Sequence, residues 1–499
     1  MTSRRACPPA PGPLEDYAQR FDALFSSLAQ RRGLRDYLQG LLLPRDRNKT
    51  LTGLAGAEPI SGAQHREVQR LQWFLSESAW DHEQVNDQRV RRLCEDPATA
   101  PHDGGVLVLD DTGDRKDGTA TAHVARQYLG SVGKIDNGIV AVTSLWADER
   151  CYWPVHAVPY TPASRLPAGE RDPGFRTKPQ LAIELVQAAQ QAGIGFRAVV
   201  ADCAYGDNPG FTQALGAARI PFVVALKPRK GTWAPADQAH TPTEAASELG
   251  WRNPSSPGRW RRVVRRFRDG HTETWWAADA QLGGWGPDRP LRLVVASIDP
   301  ERLPGHSTWY LLTNLPRPAS RRAQPADLAD IVRLYGLRNW VEQGYKQVKG
   351  ELGWADFQVR SDRAIRRHWT LVCCAFSFCW QCDLGLRSRR RRGRPLRPAR
   401  HRGWGPGRPG RGLPRRWHPQ RRRRDDDPAA ASGAGPTAWP QTVSLAFDGA
   451  RLFALGHDGP YLLQDLVLED VATVTGLAVG PTYTTAAYLH SDFQRPPLL

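Results

Sequence analysis

Two short apolar runs most constrain what this chain can fold into. Val106–Leu109 (VLVL) runs into Asp110, and Ala198–Ala201 (AVVA) runs into Asp202. Wholly apolar, valine-rich runs of this length read as strands buried on both faces, the kind found inside α/β sheets. Both stop at polar, glycine-containing sequences, DDTGD and DCAYGDN, which predict turns. In open α/β sheets, ligands collect at the carboxyl ends of strands. Taken singly, each aspartate is more simply a turn or N-cap residue. Taken together they set two carboxylates where a site would form.

A third carboxylate sits on a predicted helix. From Leu328 to Leu352 apolar residues recur every three or four positions with no proline between them. At about 100° per residue, Tyr335, Arg338, Glu342 and Lys349 fall within an arc of about 60°. Such a stripe can hold a metal through its carboxylate and phosphates through its cations. The plainer reading is an amphipathic surface helix with i,i+4 pairs Arg338–Glu342 and Glu342–Lys346. Two aspartates and a glutamate together supply the oxygen ligands of a two-magnesium site for phosphoryl chemistry.

The spacing Y-x2-R-x3-E-x6-K, carried by Tyr335, Arg338, Glu342 and Lys349, resembles the signature of DDE transposases of bacterial insertion sequences. VLVLDDTG, VARQYLGSVGKIDNGIVAV at Val124–Val142, FRTKPQLA at Phe175–Ala182 and VVADCAYGDN at Val199–Asn208 resemble that family in the same order, from about Asp16 to about Cys382. The resemblance implies an RNase H-like core with Asp110, Asp202 and Glu342 as the metal-binding catalytic triad for Mg²⁺, with Mn²⁺ as the alternative ion. It assigns Tyr335, Arg338 and Lys349 to DNA near the scissile end. It selects Asp110 over Asp111, because the family pattern D-x-T takes Thr112 as its threonine. The partners it implies are double-stranded DNA, as transposon terminal inverted repeats and target DNA, and a second copy of the chain in a homodimer on that DNA.

The fold class expected is mixed α/β (α+β). Residues 1–13 are Pro-rich and expected to be disordered. Residues 14–98 read as an all-α domain, either a packing subdomain or, as the resemblance implies, the domain that binds transposon ends, with Arg66, Arg70, Arg89, Arg91 and Arg92 as candidate phosphate contacts. Residues 99–227 read as the first part of the RNase H-like core. The step of 140 residues from Asp202 to Glu342 exceeds what one strand and one helix require, so 228–325 reads as a β-rich insertion. There Trp275 and Trp276 either stack on an unpaired base or pack within the insertion. Residues 326–386 complete the core with the glutamate helix and an apolar helix from Trp369. Arg360, Arg363, Arg366 and Arg367 are further candidate phosphate contacts. Cys373, Cys374, Cys379 and Cys382 lie in that apolar helix and read as packed residues rather than as zinc ligands.

Composition matters most beyond Leu386. Arg387–Arg424 holds 17 arginines and no lysine, aspartate or glutamate, which accounts for the whole net charge of +17. The rest of the chain is formally neutral, so the basic balance says little about DNA binding by the folded part. Residues 387–435 cannot bury a core and are expected to be disordered. The preferred reading is a frame disruption, since GC-rich DNA read out of frame often yields Arg/Gly/Pro-rich text; the alternative is a basic nucleic-acid-binding tail. Residues 436–499 form a small β-like segment with no assigned role. The N-terminus lacks the apolar centre of a signal peptide, and no run approaches the ~18 apolar residues of a membrane span. A cytoplasmic, nucleoid-associated protein is therefore expected.

The function expected is cleavage of insertion-sequence ends and their joining to target DNA. The rivals are an RNase H-like structure-specific nuclease and an inactive DNA-binding remnant. A nucleotide-driven motor is disfavoured: no G-x-x-x-x-G-K-[ST] occurs, and Gly130–Lys134 (GSVGK) is too short.

Overall fold

The computed structural model describes residues 6–391, apart from 46, 60–61, 268–269 and 319–324, together with three short strands between 443 and 463. The N-terminal part is helical: α1 (Pro13–Ala18), α2 (Leu28–Leu42), α3 (Leu51–Leu54), α4 (Arg66–Ser76) and α5 (His82–Glu95). Helix α2 starts at a capping box, where Ser27 and Gln30 satisfy each other's backbone amides. Gly33 lies inside α2 because the Phe74 ring packs where a Cβ would be. Apolar stripes of these helices, with Tyr17, Leu34, Leu38, Leu41, Phe74 and Leu93 buried, close on one another and on a later long helix.

The rest is organised on one ten-stranded mixed sheet: β1 (Val106–Arg115), β2 (Ala125–Leu129), β3 (Lys134–Ala147), β4 (Tyr152–Tyr160), β5 (Ala198–Ala201), β6 (Phe222–Ala225), β7 (Arg261–Arg266), β8 (Thr272–Ala280), β9 (Arg292–Ser297) and β10 (Thr308–Thr313). Its order is β2-β3-β1-β5-β6-β10-β9-β8-β7, with β4 also paired to β3. Strands β1, β5 and β6 run parallel, and every other pairing is antiparallel. The architecture is thus mixed α/β. The β-rich segment after Pro228 is not set apart from the core sheet. Strand β10 pairs with β6, so β7–β10 prolong the same sheet.

The helices after β4 are α6 (Lys178–Gln191), α7 (Cys203–Gly206), α8 (Pro209–Ala217), α9 (Pro242–Ser247), α10 (Leu328–Gly336), α11 (Asn339–Gly350) and α12 (Asp362–Arg391). Thr177 caps α6 with a capping box, and Asn208 caps α8. Helix α12 carries the apolar run from Trp369 through the core and packs on α5, α2, α4 and β4. Its Cys373, Cys374 and Cys379 are buried there. None of the described helices is long and apolar enough to cross a membrane.

Several expectations need correction. Strand β1 does not stop at Asp110 but continues to Arg115, because β3 pairs with it over its whole length. Only the parallel partner β5 ends at Ala201, level with Leu109. The helix expected over 328–352 is two helices joined at Leu337–Arg338, where i→i+3 hydrogen bonds tighten the turn. Of the two readings of Trp275 and Trp276, packing holds: both are buried, Trp275 on Trp309 and Trp276 on Trp251. Arg89 and Arg367 are buried and bonded to backbone carbonyls, so neither reaches a phosphate. Of the Arg-rich stretch, only Arg387–Arg391 lies within α12. The remainder and the frame-disruption reading fall outside the described residues. Farther on, β11 (Val443–Phe447), β12 (Arg451–Gly456) and β13 (Gly459–Leu463) form a separate antiparallel sheet.

Candidate active site

Three elements bring three carboxylates to one guanidinium. Asp110 lies on β1, at the first position past the end of the parallel β5 pairing. Asp202 follows β5 and caps α7 through a bond from the Ala204 amide to Oδ1 (2.9 Å). Glu342 lies in the first turn of α11. Arg338, in the joint between α10 and α11, places Nη2 2.9 Å from Asp110 Oδ2, 3.5 Å from Glu342 Oε1 and 3.8 Å from Asp202 Oδ2.

This cluster is unevenly solvated. The Asp110 side chain is 11% exposed and the Glu342 side chain 51%. Burial pushes the Asp110 carboxyl up to about 8; Arg338 opposes this, and the neighbouring carboxylates Asp202 and Glu342 add to it. Burial alone would lower the Arg338 pKa, but Asp110, Tyr335, Asp202 and Glu342 outweigh it and raise the pKa above the ordinary arginine value. One guanidinium faces three carboxyl groups, and its Nε is buried without a hydrogen-bond partner. The site is short of positive charge.

That shortage is the test of whether the residues suit a divalent cation, and they do. The donors are hard carboxylate oxygens from three different elements, which is the chemistry Mg²⁺ and Mn²⁺ select. Among the described residues no three His, Cys, Asp or Glu side chains stand ready as a ligand set. The three carboxylates converge instead on the guanidinium nitrogen.

The other signature residues divide. Tyr335 is half-buried, edge-on to Trp309 (centroids 4.9 Å apart), and burial raises its hydroxyl to about 12. Lys349 is not at the carboxylate cluster. Two helical turns beyond Glu342, it pairs with Asp114 Oδ1 (2.6 Å) and donates to the Gly113 carbonyl (3.0 Å). Asp110 and Asp114 share a face of β1, and α11 runs along that face. Asp111 points to the opposite face and pairs with Lys178 Nζ (3.2 Å). The two adjacent aspartates therefore have different partners, and Asp110 is the one that meets Arg338.

Some contributors were not singled out from the sequence. Thr143, opposite Asp110 in the β1–β3 register, donates to the Asp110 carbonyl (3.3 Å) and bonds the buried Tyr345 hydroxyl (2.5 Å). Its only sequence signal is a threonine within the apolar run GIVAVTSLW. Asp114 and Lys178 sit inside quoted motifs, but only period-two alternation along β1 would have sorted Asp110 and Asp114 from Asp111.

Comparison with known proteins gives the following. Residues 20–281 match the family described as DDE superfamily endonuclease, a span that includes Asp110 and Asp202. The chain is 31% identical over 360 residues, 72% of its length and 85% of the relative's, to a probable transposase for insertion sequence element IS701 from Microchaete diplosiphon. Among solved structures, it is similar to the piggyBac transposase in a synaptic complex with hairpin DNA, at 12% identity and a TM-score of 0.37. That likeness covers 73% of this chain and 68% of the other.

Proposed function

The chain belongs to the DDE superfamily of endonucleases, among the DNA transposases of insertion sequences, and from that premise we propose that Asp110, Asp202 and Glu342 are its catalytic carboxylates. The observation that carries this reading is the convergence of all three on one nitrogen, within 3.8 Å. The strand sequence supports reading an RNase H-like core: β1, β3 and β4 pair antiparallel in succession, and β5 and β6 then add in parallel beside β1.

The three carboxylates would hold divalent ions, Mg²⁺ or Mn²⁺, at the position that the Arg338 nitrogen now neutralises. When bound, two such ions supply activation of the attacking water or 3′-hydroxyl and charge stabilisation of the leaving oxygen in an in-line displacement. Arg338, relieved of Asp110, has a planar fork suited to a phosphate beside the scissile bond. Tyr335, held by Trp309, offers a rigid hydroxyl on the same side. Lys349 joins the DNA only by exchanging Asp114 for a phosphate, which its 21% exposed side chain permits. The reading extends to a homodimer that pairs two terminal inverted repeats before joining them to target DNA, and to action in the cytoplasm, at the nucleoid; those parts rest on the family alone.

The test is cleavage of a duplex that carries the terminus of the element encoding this chain. The full-length protein should nick it only with Mg²⁺ or Mn²⁺ and then join the 3′ end to a second duplex. Asp202→Asn should lower nicking by about 10²–10³-fold, the scale of losing a preorganised charge at a reacting centre. Its affinity for the duplex should hold. Full activity in Asp202→Ala would refute the assignment, and nicking without joining would reduce it to a nuclease.

A further inference from the structure

Strand β7 is the outer strand of the sheet: it pairs with β8 on one side and, among the described residues, has no strand on the other. Its sequence is unlike the rest of the chain. Between Glu248 and Asp269 stand seven arginines and no lysine, aspartate or glutamate. Outside the Arg-rich stretch beyond Leu386 the chain is formally neutral, so this excess is local. Four of the seven, Arg261, Arg262, Arg265 and Arg266, lie on β7 itself.

Period-two alternation sorts these four. Val263 is buried with Val332 of α10, and Arg261 and Arg265 share its face. Arg262, Val264 and Arg266 share the opposite face, and all three are exposed. Arg261, at the start of the strand, is exposed as well. Among the described residues none of Arg261, Arg262 and Arg266 pairs with a carboxylate. Arg262 reaches the Thr274 hydroxyl at 3.4 Å, and the acid across from β7, Glu273, stands opposite Arg265 at 3.9 Å.

Arg265 is placed differently. Its guanidinium sits among Phe267, Trp275 and Trp309, with ring centroids 4.7, 4.9 and 4.7 Å away. Its Nη2 packs on Gly336, where a Cβ would approach it to 2.8 Å. Gly336 comes two residues before Arg338, and Trp309 also holds Tyr335. The end of β7 is thus fixed against the joint between α10 and α11, and the exposed arginines continue from there along the edge of the sheet.

Four cations within five steps of strand, roughly 17 Å, repel one another. Charge on an edge strand guards it against pairing with another chain. That role does not call for cations on both faces, three of them without a carboxylate among the described residues. A phosphate backbone, with dense negative charge along its length, relieves the repulsion.

We propose that the β7 edge is a contact for the DNA backbone, in which Arg261, Arg262 and Arg266 bind phosphates of the duplex held at the catalytic joint. The occupant follows from DNA being the substrate, and its place at the joint rests on the reading of Asp110, Asp202 and Glu342 as the cleavage site. Arg265, in its aromatic box, is the anchor that keeps the edge beside that joint.

The experiment measures binding of the full-length protein to a duplex of about 30 base pairs, with EDTA present, at salt from about 0.05 to 0.3 M. Each lost phosphate contact flattens the plot of log affinity against log salt by about 0.9. The triple substitution Arg261→Gln, Arg262→Gln, Arg266→Gln should flatten it by about 2–3 and weaken binding about tenfold at the lowest salt. Each single substitution should flatten it by about 0.9, so the test does not depend on the triple variant folding. Arg261→Lys, Arg262→Lys, Arg266→Lys should keep most of the slope. Arg219 and Arg289, exposed ahead of β6 and β9 at the other end of the sheet, serve as the control. Their replacement by Gln should leave the slope within about 0.5. An unchanged slope in the β7 variants overturns the proposal. So does an equal loss per charge in the control, which would report net charge rather than contact. A glutamine variant that doubles its sedimenting mass and keeps the slope also overturns it, and would make the arginines guards against a second copy of the chain. Failure of the carboxylate site would show instead as absent nicking with the same slopes, so the two readings fail separately.

Discussion

At the scale of single residues, Arg338 is the pivot of the site. Its Nη2 lies within 3.8 Å of all three carboxylates. On the proposed metal site this sets up a competition: guanidinium or divalent ion, but not both at close range. Arg338→Gln should therefore lower the stability of the metal-free protein by about 1–3 kcal/mol at pH 8, since the buried Asp110 carboxylate loses its charged partner. Mn²⁺ should restore much of that loss and should bind the variant at least as tightly as the wild type. Thermal melts with and without Mn²⁺, and titration of the free ion by electron paramagnetic resonance, would check both. An arginine that served only to pin α11 would leave Mn²⁺ affinity unchanged and the melting loss unrepaired.

At the scale of elements, the site depends on two short pieces of backbone. One is the joint between α10 and α11, which brings Arg338 and Glu342 to Asp110 in the middle of β1. The other is α7, a single turn that holds Asp202 at its N-cap. Gly206 ends α7 against β6, and a Cβ there would run into the carbonyl oxygen of Ala225. Strand β6 lies inside the sheet between β5 and β10 and has no freedom to retreat. Gly206→Ala should thus cost about 1–3 kcal/mol by overpacking. It should also reduce cleavage beyond what the lost folded fraction explains, because α7 and Asp202 must shift together. Denaturant unfolding alongside nicking rates at a temperature where both proteins are folded would separate the two effects.

At the scale of the whole molecule, the N-terminal helices are joined to α11, α12 and the turn between them through polar contacts. Arg45 donates to the carbonyls of Lys349 and Gly350 at the end of α11 and pairs with Asp356 (3.0 Å). Tyr37 on α2 bonds His368 Nδ1 (2.8 Å), and His368 Nε2 lies 3.0 Å from the Gly353 carbonyl. These contacts fit a neutral ring that donates from Nε2 and accepts from the Tyr37 hydroxyl. Burial pushes the His368 imidazole down from 6.5 to about 4. Between those values the unfolded chain binds a proton that the folded chain does not. The stability this residue confers is complete above pH 6.5 and is lost as the pH falls towards 4, about 3 kcal/mol in all. In His368→Gln, which cannot titrate, the melting temperature should fall less steeply between pH 6.5 and 4.5 than in the wild type. Parallel slopes would show that acid destabilisation arises elsewhere.

The two apolar runs and the carboxylate–arginine spacing were local facts, legible because strand burial and helical periodicity are written in neighbouring residues. They pointed to the mixed α/β class and to three carboxylates to look for; the choice of Asp110 over Asp111 came from the family pattern, and Asp110 is the one that meets Arg338. The structure decided what local patterns cannot carry. The pairing of β1 with β3 took Asp110 from a strand end into a strand, since a partner 33 residues away supplied the hydrogen bonds that continue it. The addition of β10 to β6 merged the β-rich segment with the core sheet. Packing buried Arg89 and Arg367, which by sequence alone were candidate phosphate contacts, and decided between stacking and packing for Trp275 and Trp276. Lys349 was diverted from its signature companions to Asp114 because two helical turns and four residues of strand cover comparable lengths. Residue types and their spacing follow from the order of the chain; which charges meet, and which faces stay bare, depends on pairings between segments far apart in it.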